Sequence, residues 1–133
     1  MVKILITGAN GLLGRGCVEE FHKNGIEVIA TDFTTNNITV DGKTIECDIF
    51  DIENPYEYFK KPDVVLHMAW KDVHNMNSDA HFDNLGRHAI FLKKLVKSGL
   101  GHLAIMGTKS EIGLYEGRVK ENTSANPVNN YGI

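Results

Sequence analysis

The sequence predicts an α/β fold built on a doubly wound parallel sheet, with about five strands present. Three observations carry that prediction. Short apolar runs alternate with segments of helical periodicity along the 133 residues, and strands that alternate with helices pair in parallel through right-handed crossovers. The first strand leads directly into a glycine-rich turn that opens a helix. The polar residues with recognisable chemistry fall at the carboxyl ends of the predicted strands, where such sheets bind ligands.

In chain order, Val2–Ile6 reads as a buried strand. Gly11–Asn24 reads as a helix, with Leu12, Leu13, Cys17, Val18 and Phe21 at helical spacing and Asn24-Gly25 as its stop. Glu27–Thr31 is a second strand. Asp41-Gly42 is a hairpin-type turn signal, and Thr44–Cys47 follows as a third strand. Asn54–Lys60 is a short helix with Pro55 in its first turn. Asp63–Met68 is a fourth strand. Asn77–Ser98 is a long helix whose apolar stripe is read as Phe82, Leu85, Ala89, Leu92 and Val96, ended by Gly99. That stripe is expected to cover the sheet, with a dimer interface as its alternative use. His102–Met106 is a fifth strand, and the chain after Gly107 is polar and glycine-rich.

Composition narrows the function classes. A length of 133 residues suits one domain, and 42% hydrophobic residues excludes a disordered tail. No apolar run approaches the ~20 residues that span a bilayer. Val2–Ile6 is too short for a signal-peptide core, so a cytoplasmic protein with no membrane partner is expected. Cys17 and Cys47 lack Cys-x-x-Cys spacing and are expected to be free, buried or half-buried thiols. The formal net charge of −3 and the lack of a basic stripe argue against nucleic acid as a partner. Lys93, Lys94 and Lys97 cluster on one solvated helix face. His81 and His88 are two helical turns apart, ~11 Å of rise and too far for one ion to bridge, so no metal is expected. His67 is read as packed or hydrogen-bonded in place.

The turn Gly8-Ala9-Asn10-Gly11-Leu12-Leu13-Gly14 has the chemistry of a pyrophosphate site. A diphosphate needs free backbone N–H groups at the positive end of a helix, and positions without a Cβ where it can approach closely. Gly8 suits the tight turn, Gly11 the close approach, and Gly14 the packing of helix on strand. Asp32, just past the second strand, lies at the ~20-residue spacing of a carboxylate that accepts hydrogen bonds from the adenosine ribose. A carboxylate there repels a 2′-phosphate, which favours NAD over NADP. Arg15 is read as a solvated residue of the first helical turn rather than a partner for that phosphate. Asp48 is placed to contact the adenine edge together with Ile49, or to cap a helix.

The form Thr7-Gly8-x-x-Gly11-x-x-Gly14 resembles the extended short-chain dehydrogenase/reductase superfamily, and more narrowly the NAD-dependent epimerase/dehydratase family acting on nucleotide sugars. The resemblance covers essentially the whole chain and implies a Rossmann-type NAD-binding domain. Asp63–Trp70 is similar to the family's Asp-Val-Val-x-His-x-Ala-Ala segment, which implies that Met68, Ala69 and Trp70 line the nicotinamide-ribose side. Trp70 stands where the family has a small residue. Asn84 matches the asparagine of an Asn-x-x-Gly-type segment, implying a cofactor contact, although Arg87-His88 stand where the family has Gly-Thr. Ile105–Ser110 sits at the family's Ser/Thr-rich strand end, which implies Thr108 as the catalytic hydroxyl, with Ser110 as runner-up. The stretch from Met106 to Gly117 resembles a sub-branch of capsule or surface-polysaccharide epimerase-like proteins. Glu121-Asn122-Thr123, Asn126-Pro127 and Tyr131 resemble the family's Glu-x-Thr, Pro and Tyr-x-x-x-Lys run, which implies Tyr131 as the catalytic tyrosine.

Hydride transfer to a nicotinamide must be coupled to proton transfer at the substrate oxygen. A phenol, with a reference pKa near ~10, needs a nearby cation to do this near neutrality. In the resembled family that cation is in part a lysine four residues on, one helical turn away. This position falls past Ile133. Residues 1–133 are therefore expected to be an NAD-binding domain truncated before that lysine and before the substrate lobe, with Tyr131 in a fraying tail. Three functions stay open: the cofactor-binding half of a nucleotide-sugar epimerase, dehydratase or reductase, with a homodimer possible in the full-length protein; a non-catalytic NAD-binding regulator or scaffold; or an α/β domain for another phosphate ligand. Whether the chain itself is an enzyme is left undecided.

Overall fold

Strands buried on both faces need apolar residues at successive positions, and the first strand shows this directly: Leu5 and Ile6, adjacent and on opposite faces, are both fully buried. A computed structural model describes residues 1–133. The chain divides into two compact units, Met1–Ala69 with Arg87–Met106, and Trp70–Gly86 with Gly107–Ile133. No helix is long and apolar enough to cross a membrane.

The first unit holds the sheet. Strands β1 (Lys3–Thr7), β2 (Glu27–Asp32), β3 (Lys43–Glu46), β4 (Val64–His67) and β5 (His102–Ile105) run parallel in the order β3-β2-β1-β4-β5. This is the predicted doubly wound, Rossmann-type α/β sheet. Its strand order reverses between β1 and β4, the place at whose carboxyl end sheets of this kind bind their ligands. Helix α1 (Leu12–Lys23) follows β1, the short α2 (Pro55–Tyr58) precedes β4, and α3 (Ala80–Lys97) precedes β5. On one face Leu5, Ile29 and Val65 pack with Ile49, Phe59, Phe91 and Leu95. On the other, Ile4, Ile6, Val28 and Ala30 pack with Ala9 and Val18.

The helix stops follow the glycines. Gly25 has φ +70, and the Ile26 and Gly25 amides donate to the Phe21 and His22 carbonyls, each at 3.0 Å. Gly99, at φ +104, ends α3 the same way, with Leu100 donating to Leu95 and Gly99 to Val96. Both are paired closures of orphan carbonyls by a left-handed residue.

Three sequence expectations are corrected. Asp41-Gly42 makes no hairpin, because β3 pairs parallel to β2, from Ile29 opposite Lys43 to Asp32 opposite Glu46. The segment before that turn is a loop tied elsewhere: Asn37 donates to the Asn10 side chain, and Thr35 donates to Glu46. Leu12 and Leu13 do not face the core; they are 79% and 59% exposed, and the buried positions of α1 are Gly14 and Val18. On α3 the buried stripe is His81, Asn84, His88, Phe91 and Leu95, whereas Phe82, Leu85 and Val96 of the predicted stripe are exposed.

Candidate cofactor site

The turn after β1 is shaped by backbone contacts that leave no room for side chains. Gly8 has φ +69, and a Cβ there would lie 2.7 Å from the Ala69 nitrogen at the end of β4. A Cβ on Gly14 would lie 2.2 Å from the Gly8 carbonyl oxygen and 2.7 Å from the Ala9 Cα. The fold itself therefore requires both glycines. Gly11 differs. It takes an extended φ of −70° and ψ of 171°, and a Cβ would meet only the Gly8 carbonyl oxygen, at 3.3 Å. Gly11 is the N-cap of α1, so no side chain caps the first-turn amides, and that turn carries no acidic residue. A helix start left in this state keeps unpaired amides at the positive end of the helix dipole, which is the chemistry that suits an anion.

Asp32 faces this turn. Its Oδ2 accepts from the Asn10 amide at 3.0 Å and its Oδ1 accepts from Phe33 N–H at 2.8 Å, so both oxygens are oriented while the residue stays half-exposed. The Asn10 side chain latches the loop after β2, donating to Thr34 Oγ1 and Asn36 Oδ1 at 3.1 Å and accepting from the Asn37 amide at 2.9 Å. Asp48 caps a 3₁₀ turn, Ile49–Asp51, by accepting from Phe50 N–H at 2.9 Å, and lies 3.9 Å from the Arg87 guanidinium. Ile49 is buried in the core, and the Arg87 guanidinium sits over the Phe50 ring.

Cys17 and Cys47 are free and half-buried. Thr31 donates its hydroxyl to the Ile45 carbonyl at 2.8 Å, so its oxygen accepts from the Cys47 thiol at 3.2 Å. Burial pushes that thiol's pKa up. At the end of β4, Met68 and Ala69 are half-buried, each against one face of the core. Their amides both donate to Thr7 Oγ1 at 3.3 Å.

The second unit contains the remaining candidates. The Trp70 indole N–H donates to His81 Nδ1 at 2.9 Å, so the His81 proton lies on Nε2 and goes to the Asn75 carbonyl at 2.9 Å. Sequence reading missed this partner of Trp70. The Tyr131 ring leans on His81, with centroids 5.3 Å apart, and on Trp70 at 6.5 Å. Its backbone is anchored rather than frayed: the Tyr131 amide donates to Met76 O at 2.9 Å, and the Asn130 side chain donates to Asn77 O at 2.9 Å. In place of the expected loose tail, long-range bonds to Met76, Asn77 and Asp79 hold it. Thr108 caps a 3₁₀ turn, Lys109–Glu111, in a capping box: its oxygen accepts from Ser110 N–H, and Glu111 accepts from the Thr108 amide at 2.7 Å. The Thr108 hydroxyl proton stays available for donation. Ser110 is buried. The Asn84 side-chain nitrogen is buried with no hydrogen-bond partner in the protein.

Residues 4–133 match the NAD dependent epimerase/dehydratase family. The chain belongs to that family. Among curated proteins it is 32% identical, over 99% of its length, to the dTDP-6-deoxy-L-talose 4-dehydrogenase (NAD(+)) of Aggregatibacter actinomycetemcomitans. It covers 51% of that relative, so the chain spans about half the length of the curated relative it matches. Among solved structures, the UDP-Glc/GlcNAc 4-epimerase of Campylobacter jejuni superposes with a TM-score of 0.85 at 22% identity, over 99% of this chain and 45% of that one. The Bordetella bronchiseptica enzyme WbmG in complex with NAD gives 0.75 at 25% identity, over 98% of this chain and 45% of that one. For this member of the epimerase/dehydratase family, two departures from the family pattern have local explanations. Trp70 has His81 to receive its N–H, and His88 has a partner on β4.

Proposed function

We propose that the chain is the cofactor-binding half of an NAD-dependent nucleotide-sugar epimerase or dehydratase. The observation that carries this is the uncapped first turn of α1 at Gly11, where a Cβ would meet only the Gly8 carbonyl oxygen, at 3.3 Å. Gly8, Asn10, Gly11, Leu12, Leu13 and Gly14 form the pyrophosphate cradle, and the outward-facing Leu12 and Leu13 supply its apolar rim. Asp32 accepts from the adenosine ribose, with Asp48 and Ile49 at the adenine. Met68, Ala69, Trp70 and Asn84 belong to the nicotinamide side, and the orphaned Asn84 amide is the donor such a contact needs. The NAD-bound relative and the NAD(+) dehydrogenase support NAD as the cofactor.

NAD, when bound, would supply the acceptor for a hydride leaving a sugar carbon. The chain's own part is to hold the sugar hydroxyl and take its proton: Thr108 donates to that oxygen, and Tyr131, steadied by His81 and Trp70, accepts the proton as a phenolate, a state that needs a cation beside it. The complete protein acts on a nucleotide sugar, in keeping with the substrates named for its relatives. The exposed Phe82, Leu85 and Val96 of α3 support a homodimer of that protein.

Calorimetric titration tests the cofactor assignment. Asp32→Ala is expected to weaken NAD binding by about tenfold or more, since hydrogen bonds to a charged group contribute ~1.5–3 kcal/mol. The same change narrows the preference for NAD over NADP, because the charge that repels a 2′-phosphate is gone. An NAD affinity equal to the wild type's would rule the ribose assignment out.

A further inference from the structure

Where β1 and β4 end side by side, three buried polar side chains form a line. Thr7 and His67 are register partners on the two strands, and His88 projects from α3. Thr7 Oγ1 lies 2.7 Å from His67 Nδ1, and His67 Nε2 lies 2.7 Å from His88 Nδ1. All three are at least 95% buried. Phe91 lies against His67, and Phe50 meets His88 edge-on. The charged groups beside the pair are Arg87 on the same helix and Asp48 after β3.

We infer that Thr7, His67 and His88 form a one-way hydrogen-bond relay that positions the Met68 and Ala69 amides against the glycine turn, with His88 as the positioning residue that sets its direction. Proton counting gives the direction. Thr7 Oγ1 accepts from the Ala69 amide and shares the Met68 amide with the Thr7 carbonyl oxygen, and the acceptor beside it for its own buried proton is His67 Nδ1, so that proton points to the histidine. His67 then carries its proton on Nε2 and donates it to His88 Nδ1, which leaves the His88 proton on Nε2. The Ala69 nitrogen lies where a Cβ on Gly8 would come within 2.7 Å, so the backbone at the end of β4 packs closely on the turn. A proton added at His88 Nδ1 would drive the relay backwards. His67 would donate to Thr7, and the Thr7 hydroxyl would have to turn away from the histidine it now binds. Burial keeps both rings neutral, His67 at about 3 and His88 at about 4.

The test uses the 133-residue chain with ¹⁵N-labelled histidine. Imidazole nitrogen shifts are expected to show the Nε2–H tautomer at both His67 and His88 from pH 8 to pH 5. In His88→Leu the acceptor is lost, and exchange of the Ala69 amide is expected to quicken by about tenfold, the factor one buried hydrogen bond sets. His88→Asn places a carbonyl oxygen near the old Nδ1 position and should return exchange to within about twofold of wild type, because the acceptor is restored. A His67 Nδ1–H tautomer overturns the relay, as does unchanged Ala69 exchange in His88→Leu or failure of His88→Asn to rescue. If neither variant folds, the wild-type tautomers alone decide. The inference rests on the cofactor reading for its consequence only: a wild-type chain that shows the relay but binds no NAD would sink the proposed function and leave the relay standing.

Discussion

Gly14→Ala is expected to lower folding stability by at least about 2 kcal/mol. Overpacking a filled site costs ~1–3 kcal/mol and sometimes more. Here the new Cβ would lie 2.2 Å from one backbone atom and 2.7 Å from another, and neither can swing aside as a flexible side chain would. The better helix propensity of alanine returns only about 1 kcal/mol. Gly16, two positions along the same helix, is the internal control. Nothing lies within 4 Å of a Cβ there. Gly16→Ala should therefore gain about 0.5–1 kcal/mol through helix propensity. Urea unfolding midpoints of the two variants should move in opposite directions. Equal shifts would mean that α1 does not pack on the turn as described.

The second large effect is with acid. His67 is held at about 3 by burial and then by the neighbouring His88, and His88 at about 4 by burial and then by Arg87, with Asp48 opposing. An unfolded histidine titrates near ~6.5. Between these values the unfolded chain binds protons that the fold refuses, so stability rises with pH and is lost as pH falls from about 6.5 toward 4. Two such groups give a slope of up to about 2.7 kcal/mol per pH unit, large against a typical total of ~5–15 kcal/mol. Between pH 7 and pH 5 the wild-type urea midpoint should fall steeply. In His88→Asn the slope should shrink by about 1.4 kcal/mol per pH unit, one proton's worth. Identical slopes in the two proteins would show that His88 is not a buried neutral ring.

The sheet and its glycine turn were legible because their signals are local. Gly8, Gly11 and Gly14 mark a turn whose chemistry is set within seven residues, and Asp32 follows at a spacing fixed by one helix and one strand. What was hidden is what only tertiary pairing decides. His81, Asn84 and His88 look like a polar helix face, yet they are the buried face of α3 because the two histidines find partners on other segments. The apolar stripe one position away is the exposed one. Leu12 and Leu13 repeat the lesson: hydrophobicity marks them as core, but the first turn of α1 turns them outward. The anchoring of Tyr131 depends on bonds to Met76 and Asn77, more than fifty residues earlier, which no periodicity reveals.

The central claim is a diphosphate held at the opening of α1, and Gly11 isolates it, since its backbone is one that any residue adopts and a Cβ there presses only on the Gly8 carbonyl oxygen, at 3.3 Å. Gly11→Val should still fold, losing no more than about 1–2 kcal/mol to the tight Gly8 contact and the poorer N-cap. On titration with NAD it should show affinity reduced by at least about 100-fold, equivalent to about 3 kcal/mol, because the branched side chain stands where the phosphate belongs. A well-folded Gly11→Val chain that binds NAD as tightly as the wild type would contradict the account.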